Sequence, residues 1–359
     1  MRNFLNSMTY VEDIDLVMRA SINWNTLENS TILVTGAIGL IGSFLVDCLI
    51  VANRIFNLHT SVYAMSRSSQ RLKERFSYVY DSNQYLKVIP ADVCSFPDFE
   101  TDFDYVIHAA SMNHPVAFSK YPVDTMKTNI IGTINLLDYS ISHSCKRFMY
   151  VSSSEVYGIN DSSLIKPLIE DYSGHLDLTN ARSAYPESKR AGEVLCTAYL
   201  KQHSLNTVSV RPWYIYGATM IDESSKADAQ FLRKAYAKED IILKSEGSKI
   251  RSYCYVADCV QALLCILTNG ENGAYNIAGK DTATIKEFAE QCAETAGVSI
   301  IYEKPDITEE LGYSLAPNGV CSAERAERVG YKPRVSLREG IKRSLAIMNE
   351  NGSTNGSIR

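Results

Sequence analysis

The sequence predicts an α/β fold: a doubly wound parallel sheet with a smaller lobe built by its C-terminal part. Three observations carry this. Short apolar runs alternate with helical stretches from residue 31 to residue 211, a glycine-rich turn follows the first run, and the regularity falls away after Arg211. Strands that alternate with helices form a sheet covered on both faces, because each crossover helix packs back onto it.

The elements follow in order. Within residues 1–29, Val11, Ile14, Val17, Met18 and Ile22 fall close to helical spacing and predict an amphipathic helix packed on the body. Residues 31–35 make the first strand, and the helix behind it carries Phe44, Leu45, Cys48 and Leu49. Further strands are expected at 62–65, 86–89, 105–108, 148–152 and 207–210, with helices over 124–142 and 186–202. Residues 30–211 then form one sheet domain. Helices near 227–237, 256–268, 284–296 and 336–349, with short strands at 241–243 and 274–277, assign 212–350 mainly to the lobe, part of which can return to the sheet. The tail 351–359 is rich in Gly, Ser and Asn and is expected to be disordered.

Composition narrows the function classes. Hydrophobic residues make up 45% and charged residues 21% of 359, enough to bury a large core. A net charge of −5 disfavours nucleic acid or an anionic membrane surface as partner. The nine cysteines are scattered without a CxxC pair, which predicts reduced thiols, no metal site and a cytoplasmic setting. No apolar run approaches the ~18 residues of a spanning helix, and none at the N-terminus reads as a signal peptide.

The glycine turn, Thr35-Gly36-Ala37-Ile38-Gly39-Leu40-Ile41-Gly42, sits between a strand and a helix. In that position the early glycines let the backbone turn tightly beside a pyrophosphate, and the helix N-terminus offers free N–H groups to it. This predicts a Rossmann-type dinucleotide site around Gly36, Ile38, Gly39, Leu40, Ile41 and Gly42. Asp92 and Val93, after the third strand, are placed for the adenine. Ala109, Ala110 and Ser111, after the fourth, complete the cofactor set. An NAD site commonly has an acid at the end of the second strand for the ribose diol. Here Ser66-Arg67-Ser68 has none. Arg67 either meets a 2′-phosphate, which would mean NADP, or is a solvated loop residue near the adenine.

Tyr185-Pro186-Glu187-Ser188-Lys189 places a phenol and an ammonium one helical turn apart. Lys189 is expected to lower the pKa of Tyr185, so that the phenol can take a hydroxyl proton while hydride leaves the same carbon. Lys189 can also hold the nicotinamide ribose. The strand before this helix ends in Ser152-Ser153-Ser154-Glu155-Val156-Tyr157-Gly158, which brings further polar groups to the same edge. Each segment alone has a bland explanation, a turn or a solvated helix face. Their order behind the glycine turn does not.

These segments, with Lys127–Thr133, Arg211–Gly217 and Tyr275–Gly279, resemble the extended short-chain dehydrogenase/reductases that act on nucleotide sugars, over roughly residues 30–345. Within them, Ser153–Gly158, Glu170–His175, the Arg182/Tyr185/Glu187/Lys189/Arg190/Glu193 helix and Arg251–Val256 are most similar to UDP-glucuronate decarboxylases. The resemblance implies a bound NAD, a nucleotide-sugar substrate and a homodimer paired through the helices near 124–142 and 186–202. It implies that Ser153 and Tyr185 hold the sugar 4-hydroxyl and that Ser154 and Glu155 serve chemistry at C5 and C6. It also implies that Arg182 and Arg251 face an acidic substrate. Two substrate positions depart from the pattern: Tyr214 stands where the family often has Asn, and Lys244 where it often has Tyr. The rival chemistries are 4,6-dehydration, for which Ser154 is a poor acid, and 4-epimerisation, which leaves Glu155 without work. A catalytically inactive dinucleotide-binding module has no chemical need for the Ser153, Tyr185 and Lys189 set.

Overall fold

The computed structural model describes residues 3–79, 84–97, 99–112, 115–159, 166–305 and 319–353. After an N-terminal helix α1 (Met8–Met18), the chain runs β1 (Thr31–Thr35), α2 (Leu40–Phe56), β2 (Ser61–Ser66), α3 (Ser69–Arg75) and β3 (Leu86–Pro90). There follow β4 (Tyr105–His108), α4 (Pro115–Lys120), α5 (Pro122–Ser142), β5 (Arg147–Val151), α6 (Ala184–His203) and β6 (Thr207–Pro212). The less regular part holds β7 (Ile215–Tyr216), α7 (Ala227–Ala237), β8 (Ile241–Leu243), β9 (Ile250–Ser252), β10 (Cys254–Tyr255) and α8 (Val256–Asn269). It ends with β11 (Gly273–Ile277), β12 (Thr282–Thr284), α9 (Ile285–Ala296), β13 (Ile300–Tyr302), α10 (Glu324–Arg328) and α11 (Leu337–Ser353).

Seven strands form one sheet in the order β11-β6-β5-β4-β1-β2-β3, every pair parallel. The order reverses at β1 and β4, so the loops leaving these strands diverge and open a crevice at the carboxyl edge. The strands are continuous apolar runs because both faces are covered. Ile32 and Val34 join one buried cluster with Phe44, Leu45 and Cys48 of α2 and with α8. Leu33 points the other way, into a second cluster with Leu136 and Leu137 of α5 and Cys196 of α6. All nine cysteines are free thiols. Among the described residues, no helix is long and apolar enough to cross a membrane.

β11 lies beyond α8, yet it returns to the main sheet as its seventh strand, pairing with β6 from Gly273↔Val208 to Ile277↔Pro212. The other late strands are short pairs: β8 with β13, β7 with β10, and β9 with β12. They form the lobe above the carboxyl edge.

The N-terminal helix is capped by Ser7, whose Oγ accepts from the Tyr10 N–H at 3.1 Å. Tyr10, Ile14, Val17 and Met18 face inward, whereas Val11 is on the outer face and Ile22 is buried beyond the helix end. Buried polar ties fasten it. Tyr10 donates to Asp47 at 2.5 Å, beside Arg75. Asp13 accepts from Tyr255 at 2.5 Å and from Arg343 of α11 at 3.0 Å. At the chain's other end the expected disordered tail begins too early. α11 continues through a buried Asn351, whose Nδ2 donates to the Ile347 carbonyl at 2.8 Å, and only residues 354–359 lie outside the described residues.

Candidate active site

The site is built from strand ends. At the end of β1, Gly36 has φ +68°, and a Cβ there would stand 2.8 Å from the Ala109 backbone. A Cβ at Gly42 would stand 2.4 Å from the Gly36 carbonyl, so α2 approaches the turn closely only because that side chain is absent. Gly39 occupies the cap position of α2, leaving the N–H groups of the first helical turn unshielded. Thr35 Oγ1 accepts from the Ala110 N–H at 3.2 Å and lies 2.8 Å from His108 Nδ1. Burial, helped by the charge of Lys189, pushes His108 down to about 3, so the imidazole is neutral.

A cavity of about 760 Å³ runs from this turn into the lobe. Every site residue named from the sequence lines it. On the cofactor side these are Gly36, Ile38, Gly39, Leu40, Ile41, Gly42, Arg67, Asp92, Val93, Ala109, Ala110 and Ser111. Beyond them come Ser153, Ser154, Glu155, Arg182, Tyr185 and Lys189, then Tyr214, Lys244 and Arg251 on the lobe side. Among the described residues no cluster of three His, Cys, Asp or Glu side chains is placed to hold a metal ion.

β5 delivers Ser153, whose Oγ accepts from the Glu155 N–H at 3.2 Å and caps the single 3-10 turn Ser154–Tyr157. That turn aims Glu155 into the cavity. The inner face of α6 delivers Tyr185 and Lys189, both buried. Lys189 Nζ donates to the Val151 carbonyl at 2.8 Å and stands 4.9 Å from the Tyr150 ring centroid. The expected electrostatics need correction here. Burial, reinforced by Glu155, raises the Tyr185 phenol above its ordinary value, while hydrogen bonding with Ser153 and the charge of Arg182 oppose the rise. Burial also brings Lys189 down to about 7, because an ammonium loses solvation that one carbonyl does not replace.

Arg182, expected to face the substrate, lines the cavity and is also tied to Glu155. Its Nη2 donates to both Glu155 oxygens at 2.7 Å. In this structure it therefore holds the glutamate. Its guanidinium lies 4.4 Å from the Phe118 ring centroid, and Phe118 in turn stacks on Tyr185 with centroids 4.2 Å apart. Phe118 gives no signal in the sequence, since a lone aromatic in the six-residue α4 makes no pattern.

On the lobe side Arg251 is 4% exposed, with its guanidinium 4.5 Å from the Tyr214 ring centroid. Tyr214 reaches that position with φ +40°, a left-handed conformation uncommon outside glycine and concentrated at functional sites. Arg251 Nη1 is buried without a partner among the described residues. Lys244 and Lys249 line the same stretch, and burial with the neighbouring Arg251 charge lowers Lys249. A buried donor beside two ammonium groups suits an anion such as a pyrophosphate. Lys249, two residues before Arg251, was not expected from the sequence.

The adenosine end confirms the missing acid. β2 stops at Ser66, and Ser66, Arg67 and Arg71 line the rim. Asp92 Oδ1 is engaged by the Cys94 N–H at 2.9 Å. The glycine cradle, the open N-terminus of α2 and the buried Lys189 nonetheless fit a dinucleotide: phosphates at the helix end, nicotinamide ribose at the lysine.

Comparison with known proteins agrees. Residues 32–278 match the model of the NAD dependent epimerase/dehydratase family. The chain is 30% identical over 314 residues to UDP-glucuronic acid decarboxylase 6 of Arabidopsis thaliana, covering 88% of this chain and 87% of the relative. Two solved structures are similar in fold. A dTDP-glucose 4,6-dehydratase from Streptomyces venezuelae with NAD bound superposes with TM-score 0.77 at 22% identity, over 90% of this chain and 98% of its own. A UDP-glucuronic acid 4-epimerase from Bacillus cereus with UDP-glucuronic acid and NAD gives TM-score 0.74 at 22% identity, over 89% and 99%. With a Rossmann cradle, an intact Tyr185/Lys189 pair and a family match over most of its length, this chain belongs to the NAD dependent epimerase/dehydratase family of enzymes.

Proposed function

We propose that the protein decarboxylates a UDP-glucuronate-like nucleotide sugar through transient oxidation at C4. The observation that carries this reading is Glu155 held by Arg182, with Ser154 rather than a second acid preceding it in the chain. A 4,6-dehydratase needs a proton donor for the departing 6-hydroxyl, and Ser154 is too weak an acid for that task. The 30% identity to a UDP-glucuronic acid decarboxylase points the same way.

NAD, which the glycine turn and Lys189 would hold, would supply the hydride acceptor for oxidation at C4 and the donor for its reduction. The chain's own groups do the rest. Tyr185, whose buried phenol must first ionise, as the positive nicotinamide ring of a bound cofactor would favour, takes the 4-hydroxyl proton, with Ser153 orienting that hydroxyl. The resulting 4-ketone makes the C6 carboxylate a β-keto acid, which loses CO₂ and leaves an enolate at C5. Glu155 and Ser154 face C5 and C6, where the enolate must regain a proton. Tyr185 then returns its proton to the 4-oxygen as C4 is reduced. Arg251, Lys244 and Lys249 hold the pyrophosphate throughout.

Incubation of the purified protein with UDP-glucuronate, UDP-glucose and UDP-N-acetylglucosamine, with products identified by mass, tests the reading. Loss of CO₂ from UDP-glucuronate alone is expected. Loss of water from UDP-glucose, or isomerisation of UDP-glucuronate without mass change, would replace it with dehydration or epimerisation.

We also infer a homodimer paired through α5 and α6, in a reducing compartment such as the cytoplasm. Leu136 and Leu137 serve the chain's own core, but Val123, Met126 and Ile131 of α5 and Val194 of α6 are exposed apolar side chains. The nine free thiols support the compartment.

A further inference from the structure

The family uses NAD, yet the usual device for choosing it is absent. A carboxylate at the end of β2 would accept from the ribose 2′-hydroxyl and repel a 2′-phosphate. Here that place is taken by Ser66, Arg67 and, one turn into α3, Arg71, all lining the cavity rim. Two guanidinium groups at this point would favour a 2′-phosphate.

Arg71, however, is already engaged. Its Nη2 donates to Glu223 Oε2 at 2.9 Å, although 152 residues separate the two. Glu223 belongs to the segment between β7 and α7, several of whose residues line the same cavity. The segment is fastened on two further sides: Thr219 Oγ1 donates to the Leu40 carbonyl at 2.8 Å, and Ser225 Oγ accepts from the Val116 N–H at 3.2 Å. A carboxylate of the lobe segment, itself outside the cavity lining, thus engages Arg71 at the rim.

We propose that Glu223 sets cofactor choice by neutralising Arg71, so that the dinucleotide site disfavours a 2′-phosphate without any acid on β2. A 2′-phosphate placed against Arg67 would have to compete with Glu223 for Arg71 and would face its negative charge. A free 2′-hydroxyl does neither.

The test is equilibrium binding of adenosine 2′,5′-bisphosphate and of 5′-AMP, followed by calorimetry, to the wild type, Glu223→Ala, Glu223→Gln and Glu223→Ala/Arg71→Ala. These probes carry the rim chemistry without the nicotinamide, so the result does not depend on turnover or on which sugar is processed. Arg71 and Glu223 have side-chain exposures of 45% and 63%, so the variants are expected to fold, which thermal melts check. Both Glu223 variants should bind the bisphosphate roughly three- to tenfold more tightly, with 5′-AMP unchanged, as befits one partly screened charge. Adding Arg71→Ala should cancel the gain, and raising the salt concentration should shrink it. Equal shifts for the two probes, or no shift for either, would overturn the proposal. So would a gain that survives loss of Arg71.

Discussion

The Tyr185 phenol feels the charge of Glu155, yet the proposed cycle asks the two to act at different steps. Tyr185→Phe removes the group that takes the 4-hydroxyl proton. Oxidation at C4 should then stop, with no NADH absorbance on adding substrate. Glu155→Gln keeps the shape but loses the charge. It should spare C4 oxidation and slow the later events, so that NADH or a 4-keto sugar accumulates. Losses of about 10²–10⁴-fold are expected for such groups, well within stopped-flow range. If Glu155→Gln turns over normally while Tyr185→Phe is dead, the chemistry is 4-epimerisation. The glycine turn, Ser153–Glu155 and the Tyr185/Lys189 pair were legible as lining residues because they lie at strand ends or on one helix turn, where spacing encodes position. Their charges were not. Lys189 lies one turn from Tyr185 in any reading, but only the buried geometry shows that desolvation governs both groups.

Among the elements, α1 packs on the body as its spacing predicts, and its docking carries a pH dependence. Burial raises the Asp13 carboxyl from its ordinary 3.8 to about 7, against the hydrogen bond from Tyr255 and the charge of Arg343. The folded protein thus keeps a proton that the unfolded chain releases. Stability from this group is full below the lower value and falls as the pH rises through the higher one. Thermal melts from about pH 4 to about pH 8 should show that decline in the wild type, and Asp13→Asn should flatten it. An equally steep decline in the variant would show that another group is responsible. The seven strands of the main sheet were legible within a residue or two, whereas the three-residue β9, β12 and β13 were not: 62–65 was expected where Ser61–Ser66 is found, because a doubly covered strand is a continuous apolar run. β7 and β10, with two residues each, are too short to give any period. The short α3 and α4 escaped for the same reason, and with them Arg71 and Phe118.

For the whole molecule, the pairing of α5 and α6 predicts a dimer in light scattering at micromolar concentration. Val194→Glu or Ile131→Glu should shift it to monomer without lowering the melting temperature of the isolated subunit, since both side chains are exposed. A monomeric wild type would sink the inference. The gross plan, a sheet domain followed by a lobe, could be read from the decay of regularity after Arg211. The return of β11 to the sheet could be suspected but not located, because strand order depends on which edge stays unpaired, and that edge belongs to β6, far back in the chain.

That returning strand has a mechanical consequence. The backbone crosses between sheet and lobe on the way from β6 to β7, again from β10 to α8, and once more from β11 to β12. A body tethered at several separate points cannot swing open like a door on one pivot, as proteins with a single flexible linker do. Ligands must instead thread past individual loops, so the entry rate should follow local loop opening while the outer dimensions stay fixed. Small-angle scattering with and without nucleotide sugar should give superimposable profiles, even where hydrogen exchange in the segment between β7 and α7 slows markedly.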